Sequence, residues 1–365
     1  MGLHAITSPQ DPQALRDSRY DLLAALLAVG LDPARSTIFL QESVKEHAEL
    51  YWIFSTLVGV GRLRRMTTWK GKMADRKGES MPTEAEESTA QEVGQEDKDP
   101  FTDMDSAPST SRSSLSTGLF TYPVLQAADI LLYKGTHVPV GEDQLQHLEL
   151  CREIAQSFNR HFSSSSSQSG NGKSKQNAGD LFQPPEVLVT PSPKILSLRD
   201  PSRKMSKSHP DLSSRVLLDD DAMAIRSKIK RAVTDGDRHL VMDPVQRPGV
   251  ANLLRICAAL ENFGHQKKQQ QHRDQGHNGK ENEEAAVTPE DIADRLNATQ
   301  GGGSGALKAL TTQLLVDTLV PIGDEYRRLR ADRSYLMEVA EQGRERASQR
   351  AGETMAQVRA LVGLD

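Results

Sequence analysis

Leu3-His4-Ala5-Ile6-Thr7 alternates apolar and polar positions and predicts the tail of a strand, and the period changes at once after it. Asp11-Pro12 supplies a helix N-cap and a first-turn proline, after which Leu15, Leu22, Leu23, Leu26 and Leu27 recur at helical spacing until Gly30. Ser36 to Leu40 predicts a short buried strand, and a helix is expected over about 44–58. Strand, helix, strand, helix is the order of a parallel α/β sheet. The pattern resumes at Gly118, with a helix from Pro123 to Tyr133, a strand from His137 to Val140 and a helix from about Asp143 to Phe158. Lys194 to Leu198 reads as the last strand of the sheet. Beyond about residue 210 the apolar repeats are helical, over 221–233, 249–262, 288–298 and 306–360, and Thr288-Pro289-Glu290-Asp291 has the form of a helix start. The expected fold is a parallel, Rossmann-like α/β domain over 1–208 followed by an all-helical domain over 209–365.

Three stretches hold neither period: about 73–116, 163–179 and 265–286. They are acidic, Ser-rich or Gln/His/Lys-rich, and the expectation is that they are disordered insertions in surface loops. They also account for a hydrophobic content of 36 % and an aromatic content of 4 %, both lean for a packed chain. The formal net charge is -5, yet residues 79–105 alone hold ten Asp or Glu against one Lys, so the remainder is mildly basic and compatible with a polyanionic partner. Cys151 and Cys257 stand alone, without the neighbours a zinc site or a disulfide framework needs, and a reducing intracellular compartment is the default expectation. No apolar run reaches the ~18 residues of a membrane span. The first twenty residues, with Asp11, Arg16, Asp17 and Arg19, have neither a signal-peptide core nor an acid-free transit pattern.

Three segments carry candidate chemistry. Lys204-Met205-Ser206-Lys207-Ser208 follows the strand ending at Leu198, on a turn opened by Asp200-Pro201. Two lysines flanking small hydroxyl residues can bring positive charge to a triphosphate as negative charge builds on leaving pyrophosphate. Val138-Pro139-Val140-Gly141-Glu142-Asp143-Gln144 is a strand-to-helix turn in which Gly141 allows close backbone approach while Glu142 and Asp143 offer acceptors for hydroxyl groups. Within Tyr122-Pro123-Val124-Leu125-Gln126-Ala127-Ala128-Asp129-Ile130-Leu131-Leu132-Tyr133, Asp129 lies inside an apolar run, where a carboxylate is costly unless it has a cationic partner. Tyr122 lies two helical turns earlier on the same face.

These segments resemble class I aminoacyl-tRNA synthetases, and the tryptophanyl-tRNA synthetases in particular. The pentapeptide Lys204 to Ser208 matches the second signature of the class residue for residue. Further resemblance runs through His4 to Thr7, Thr37 to Gln41, Met66-Thr67, Ile229 to Asp235 and Pro248 to Leu254. The resemblance implies ATP-dependent activation of tryptophan and its transfer to tRNA(Trp), by a homodimer that uses ATP with Mg²⁺. It implies that Asp129 binds the tryptophan ammonium with Tyr122 and Gln126 beside it, and that Gly141, Glu142 and Asp143 hold the ribose. The main chain of Ile195 would meet the adenine, and Lys204, Met205, Ser206, Lys207, Ser208 and Lys72 the phosphates, with Lys204 and Lys207 catalytic. Tyrosyl enzymes also place Tyr, Gln and Asp at the spacing of Tyr122, Gln126 and Asp129, but would show Gly-Ser-Asp-Gln where this chain has Gly141-Glu142-Asp143-Gln144. Tryptophan is therefore the expected amino acid.

The family opens with a strand and a glycine-rich signature that cradles the triphosphate, and the chain starts at what resembles the next strand. The alternative expectation is accordingly a non-catalytic fragment that keeps tRNA-binding or dimer surfaces. Gln126 is similar to the organellar members, and with the long polar insertions it points to a mitochondrial location.

Overall fold

The computed structural model describes residues 2–66, 116–162, 179–189, 195–206, 209–274, 285–299 and 302–364, with the backbone alone for 270–274. Of the expected insertions, residues 73–115 and 163–178 lie outside these, as do Lys72, Lys207 and Ser208. The chain forms two compact units: one from 1–19, 37–190 and 338–365, the other from 20–36 and 191–337. They interleave along the sequence.

In the first unit a 3-10 turn, Leu3–Thr7, replaces the expected strand. A five-residue alternation is too short to fix a period, and the backbone here is satisfied locally, Ala5 N–H donating to Gly2 O at 3.0 Å. Helix α1, Pro12–Ala28, starts as expected, with Asp11 accepting from Ala14 N–H at 2.7 Å. Its end is marked by Gly30 at φ 104. Residues 37–40 are extended but form no described ladder and are only half-buried or exposed, so the expected buried strand is corrected. This segment runs instead against the last helix, where a Cβ on Gly343 would collide with Ile38 O. Helices α2, Glu46–Ser55, and α3, Val60–Arg64, follow.

Helix α4, Thr117–Leu131, begins two turns before the expected Pro123 because Ser116 caps it, accepting from Leu119 N–H at 3.2 Å. Pro123 sits inside it without a proton to donate. Lys134 adopts φ 51 at its end, and Gly135 N–H returns to Ile130 O at 3.1 Å. Strand β1, His137–Val140, then pairs in parallel with β2, Glu186–Val189, in the register His137 to Glu186 through Val140 to Val189. The second strand was hidden behind Pro184-Pro185. Between them runs α5, Leu145–Phe162. Asn159, buried on α5, clamps both backbone groups of Phe182, and Phe182 packs edge-on with Phe54 and Phe158 at the centre of the core.

The second unit is built on α6, Ala222–Lys230; α7, Pro248–Asp274; α8, Pro289–Asn297; and α9, Ser304–Ala331. The final helix α10, Arg333–Val362, belongs to the first unit from Glu338 onward. Ile225, Ile229, Leu253, Leu254, Ile292 and Leu307 form the core of the helical unit. Thr288 and Asp291 make the expected capping box. The third polar stretch is partly helical, since α7 continues to Asp274: Gln, Lys and His without Gly or Pro extend an exposed helix at little cost. Lys194 to Leu198 is the other correction. Residues 195–198 join no sheet in the described structure but fold back on 203–205, with an antiparallel bridge between Leu196 and Lys204.

Candidate active site

Helix α4 presents Tyr122, Gln126 and Asp129 at i, i+4 and i+7, on one face. Asp129 is the best surrounded. Its Oδ1 lies 2.6 Å from His47 Nδ1 and accepts from Gln41 Nε2 at 2.5 Å, while the side chain remains 34 % exposed. His47 is buried in the first turn of α2, and its Nε2 lies 2.8 Å from Tyr133 Oη. Phe39, His47 and Tyr133 rings pack together with centroids 5.4–5.9 Å apart. The expected partner of the carboxylate was a cation; the structure supplies two donors from elsewhere in the same unit. Burial first, then the charges of Asp129 and Glu46, drive the Tyr133 phenol well above its ordinary value, so it stays protonated.

Tyr122 and Gln126 meet at a second buried histidine. Gln126 Oε1 lies 2.7 Å from His147 Nδ1, and the Tyr122 hydroxyl 3.5 Å from Nε2, with the rings edge-on at 5.2 Å. His147 belongs to the first turn of α5, one turn beyond Gly141-Glu142-Asp143. That turn leaves β1 as a 3-10 segment with Gln144 N–H bonded to Gly141 O at 3.0 Å. Gly141, Glu142 and Asp143 are exposed, and any Cβ at Gly141 would press on Asp143 Oδ1 at 2.7 Å. The two carboxylates stand in solvent at a helix start, Asp143 Oδ2 accepting from Gln144 Nε2 at 2.8 Å, and their remaining lone pairs can accept from hydroxyl groups.

The lysine-rich segment belongs to the helical unit and is held through its main chain. Met205 N–H donates to Ile195 O and Ser197 N–H to Arg203 O, both at 2.9 Å, closing a tight hairpin around Asp200. Asn252, 2 % exposed on α7, grips both backbone groups of Leu196 at 2.9 and 3.0 Å. Leu198 O receives Val233 N–H at 2.8 Å, and Leu198 N–H donates to Ser214 O at 2.9 Å. A Cβ on Gly249 would clash with Val233 O, so that close approach demands glycine. Above this base Met205 packs on the core, and Lys204 and Ser206 are exposed.

Sequence reasoning singled out Tyr122, Gln126, Asp129, the 141–143 turn and the lysine segment; Gln41, Tyr133 and Asn252 stood there only as members of longer segments, and His47 and His147 not at all. A signal existed for His47, which shares a face with Leu50 and Phe54 at i+3 and i+7, where a histidine must find partners. Among the described residues no group of three His, Cys, Asp or Glu is placed to hold a metal.

The chain is similar in sequence and fold to known proteins. The family model of tRNA synthetases class I (W and Y) matches residues 1–87 and 98–299. The mitochondrial tryptophan–tRNA ligase of Schizosaccharomyces pombe is 35 % identical over 362 residues, 99 % of this chain and 83 % of its own length. The tryptophan–tRNA ligase of Caulobacter vibrioides is 38 % identical over 364 residues, 99 % and 84 % of the two chains. Among solved structures, tryptophanyl-tRNA synthetase from Mycoplasma pneumoniae superposes with a TM-score of 0.69 at 29 % identity, covering 100 % of this chain and 86 % of that one. The Campylobacter jejuni enzyme, complexed with ADP and tryptophan, gives 0.64 at 27 % identity, covering 99 % and 87 %. The chain belongs to the class I tRNA synthetases for tryptophan and tyrosine, and within them to the tryptophanyl-tRNA synthetases.

Proposed function

We propose that the protein is a tryptophan–tRNA ligase. A tryptophan carboxylate oxygen attacks the α-phosphorus of ATP, the bond to pyrophosphate breaks, and tryptophanyl-adenylate forms. A ribose hydroxyl at the end of tRNA(Trp) then attacks the adenylate carbonyl, and AMP leaves. ATP enters as its magnesium complex, the cation held mainly by phosphate and water.

The observation that carries the reading is Asp129: among the described residues its hydrogen bonds all fall on Oδ1, and a third of the side chain is accessible beside Tyr122 and Gln126. A fixed carboxylate of this kind accepts a nitrogen donor of the amino acid. Tryptophan has two, the ammonium and the indole N–H. Gly141, Glu142 and Asp143 receive the ribose, and the Ile195 main chain the adenine. Lys204, with Lys207 of the same signature, offsets charge on the departing pyrophosphate; Met205, Ser206, Ser208 and Lys72 complete the phosphate side by motif. In this division residues 1–208 carry the chemistry and 209–365 bind the tRNA. Exposed Trp52, on the face of α2 with Ala48, supports a homodimer, because a tryptophan 70 % exposed is well suited to burial against a second copy. Sedimentation velocity tests that, a monomer overturning it. The mitochondrial ligases of two yeasts among the relatives support a mitochondrial location, which imaging of the tagged full-length gene product decides.

The test of the central claim is tryptophan binding by calorimetry. Asp129→Asn is expected to weaken it about a hundredfold, the loss typical of a desolvated charge-assisted contact. An analogue with sulfur in place of the indole nitrogen tells which nitrogen Asp129 receives. Wild-type affinity in a folded Asp129→Asn protein would sink the assignment.

A further inference from the structure

Tyr133, His47 and Asp129 stand in a line, with contacts of 2.8 and 2.6 Å, and their chemistry admits few proton placements. An ionised carboxylate only accepts, so His47 Nδ1 carries the proton. With a neutral ring Nε2 is then bare, and the Tyr133 hydroxyl donates to it. Gln41 reinforces the same direction. Its Oε1 accepts from Leu3 N–H at 2.5 Å, which turns its NH₂ end toward Asp129 Oδ1. Donors therefore converge on one oxygen of Asp129 from two sides, each fixed by a further group behind it.

We propose that Tyr133 and His47 are positioning residues for the amino-acid site: a directed hydrogen-bond relay that stops the Asp129 carboxylate from rotating and reserves Oδ2 for a tryptophan nitrogen. The inference rests on the reading of Asp129 given above and deepens it. The physical need is clear. A carboxylate that is one-third exposed, on a side chain with two rotatable bonds, would otherwise sample several orientations, and ordering it would be charged to binding. Aligned from behind, it meets the ligand already oriented. His47 comes from α2 and Tyr133 from the turn just after α4, so the relay also ties Asp129 to the packing of the aromatic group around Phe39.

Two measurements on the full chain test this. The first is ¹⁵N NMR of the imidazole nitrogens at neutral pH, with His47 assigned by its loss in His47→Asn. Protonated Nδ1 and bare Nε2 are expected, with the Nε2 resonance moving in Tyr133→Phe. A proton on Nε2 in the wild type overturns the relay whether or not tryptophan is bound. The second is tryptophan affinity. Tyr133→Phe removes only a hydroxyl and is expected to weaken binding about tenfold, one buried hydrogen bond's worth. In an Asp129→Asn background the same change should have no further effect. His47→Asn, which keeps a donor near Nδ1, should retain more affinity than His47→Leu. A Tyr133→Phe loss that is absent, or equal in both backgrounds, removes the relay. If Asp129→Asn alone binds as tightly as the wild type, the underlying assignment of Asp129 fails, while the NMR result still decides the proton order.

Discussion

The carboxylate of Asp129 and the ammonium of Lys204 are held in opposite ways. Asp129 is fixed through its own side chain, by His47 and Gln41, against a half-buried aromatic group. Lys204 is fixed only through its backbone, in a hairpin whose base is gripped by Asn252, Val233 and Ser214, and its side chain is exposed. The difference suits the two tasks proposed for them. Recognition of one amino acid needs an acceptor of fixed direction, because discrimination comes from leaving wrong partners unpaired. Stabilising charge on a departing pyrophosphate needs a cation that reaches the group as charge develops, and a long side chain on a rigid base can follow it.

The largest effect should separate these tasks. Lys204→Ala is expected to lower tryptophan-dependent ATP–pyrophosphate exchange by about 10²–10³ while tryptophan affinity stays within a factor of two or so. An equal loss in both would mean that the lysine also shapes the amino-acid site, and the contrast would collapse.

The base of the hairpin comes next. Asn252→Leu keeps the volume but leaves the Leu196 N–H and C=O without their partner, at about 2–3 kcal/mol by urea denaturation. A loss below about 0.5 kcal/mol would show that the grip is not needed.

Both regions were partly legible in the sequence, for different reasons. The lysine segment, the 141–143 turn and Asp129 announce themselves by residue type at close spacing, and the long helices by their period. Gln41 and His47 reach Asp129 across 88 and 82 residues, a separation that no local pattern encodes. Asn252 could be seen only as part of a motif, since its partner is backbone. The strand expected at 194–198 failed because a short apolar run fixes extension but not what it pairs with, and there the partner was its own return. The strand at 186–189 was missed because it begins directly after Pro184-Pro185, where turn residues mask the start of a short run.

A pH dependence sharpens the picture of the hairpin's anchor. Arg247 binds Asp235 with two hydrogen bonds, two residues beyond Val233, and this guanidinium is the main cause holding the Asp235 carboxyl below its ordinary value of 3.8. A lowered folded value means stability that is fully present above about pH 3.8 and lost as pH falls through the folded value. Wild type should therefore exceed Asp235→Asn in denaturation midpoint at pH 7, and the gap should close below that range. The pair is partly exposed, so salt should narrow the gap as well. A gap independent of pH would assign the effect to geometry rather than charge.

The smallest expected effect tests whether the rigidity around Asp129 is specific or general. Lys134 ends α4 at φ 51, one residue after Tyr133, where a side chain bears a left-handed cost of about 1–2 kcal/mol. Glycine removes that cost but adds freedom to the unfolded chain worth about 0.5–1 kcal/mol. It also loses the exposed contact from Lys134 Nζ to Gln357 Oε1 at 3.1 Å, worth little in solvent. The balance favours the variant by about 0.5 kcal/mol, read as a rise in the urea midpoint of Lys134→Gly, while Lys134→Ala, which keeps the strained conformation, should show no rise. Tryptophan affinity should stay where it was in both variants, because Asp129 is aimed by His47 and Gln41 and not by the tightness of the helix end. If Lys134→Gly instead tightens or loosens tryptophan binding by more than about threefold, the end of α4 takes part in aiming the carboxylate, and the line drawn between fold stability and site geometry lies in the wrong place.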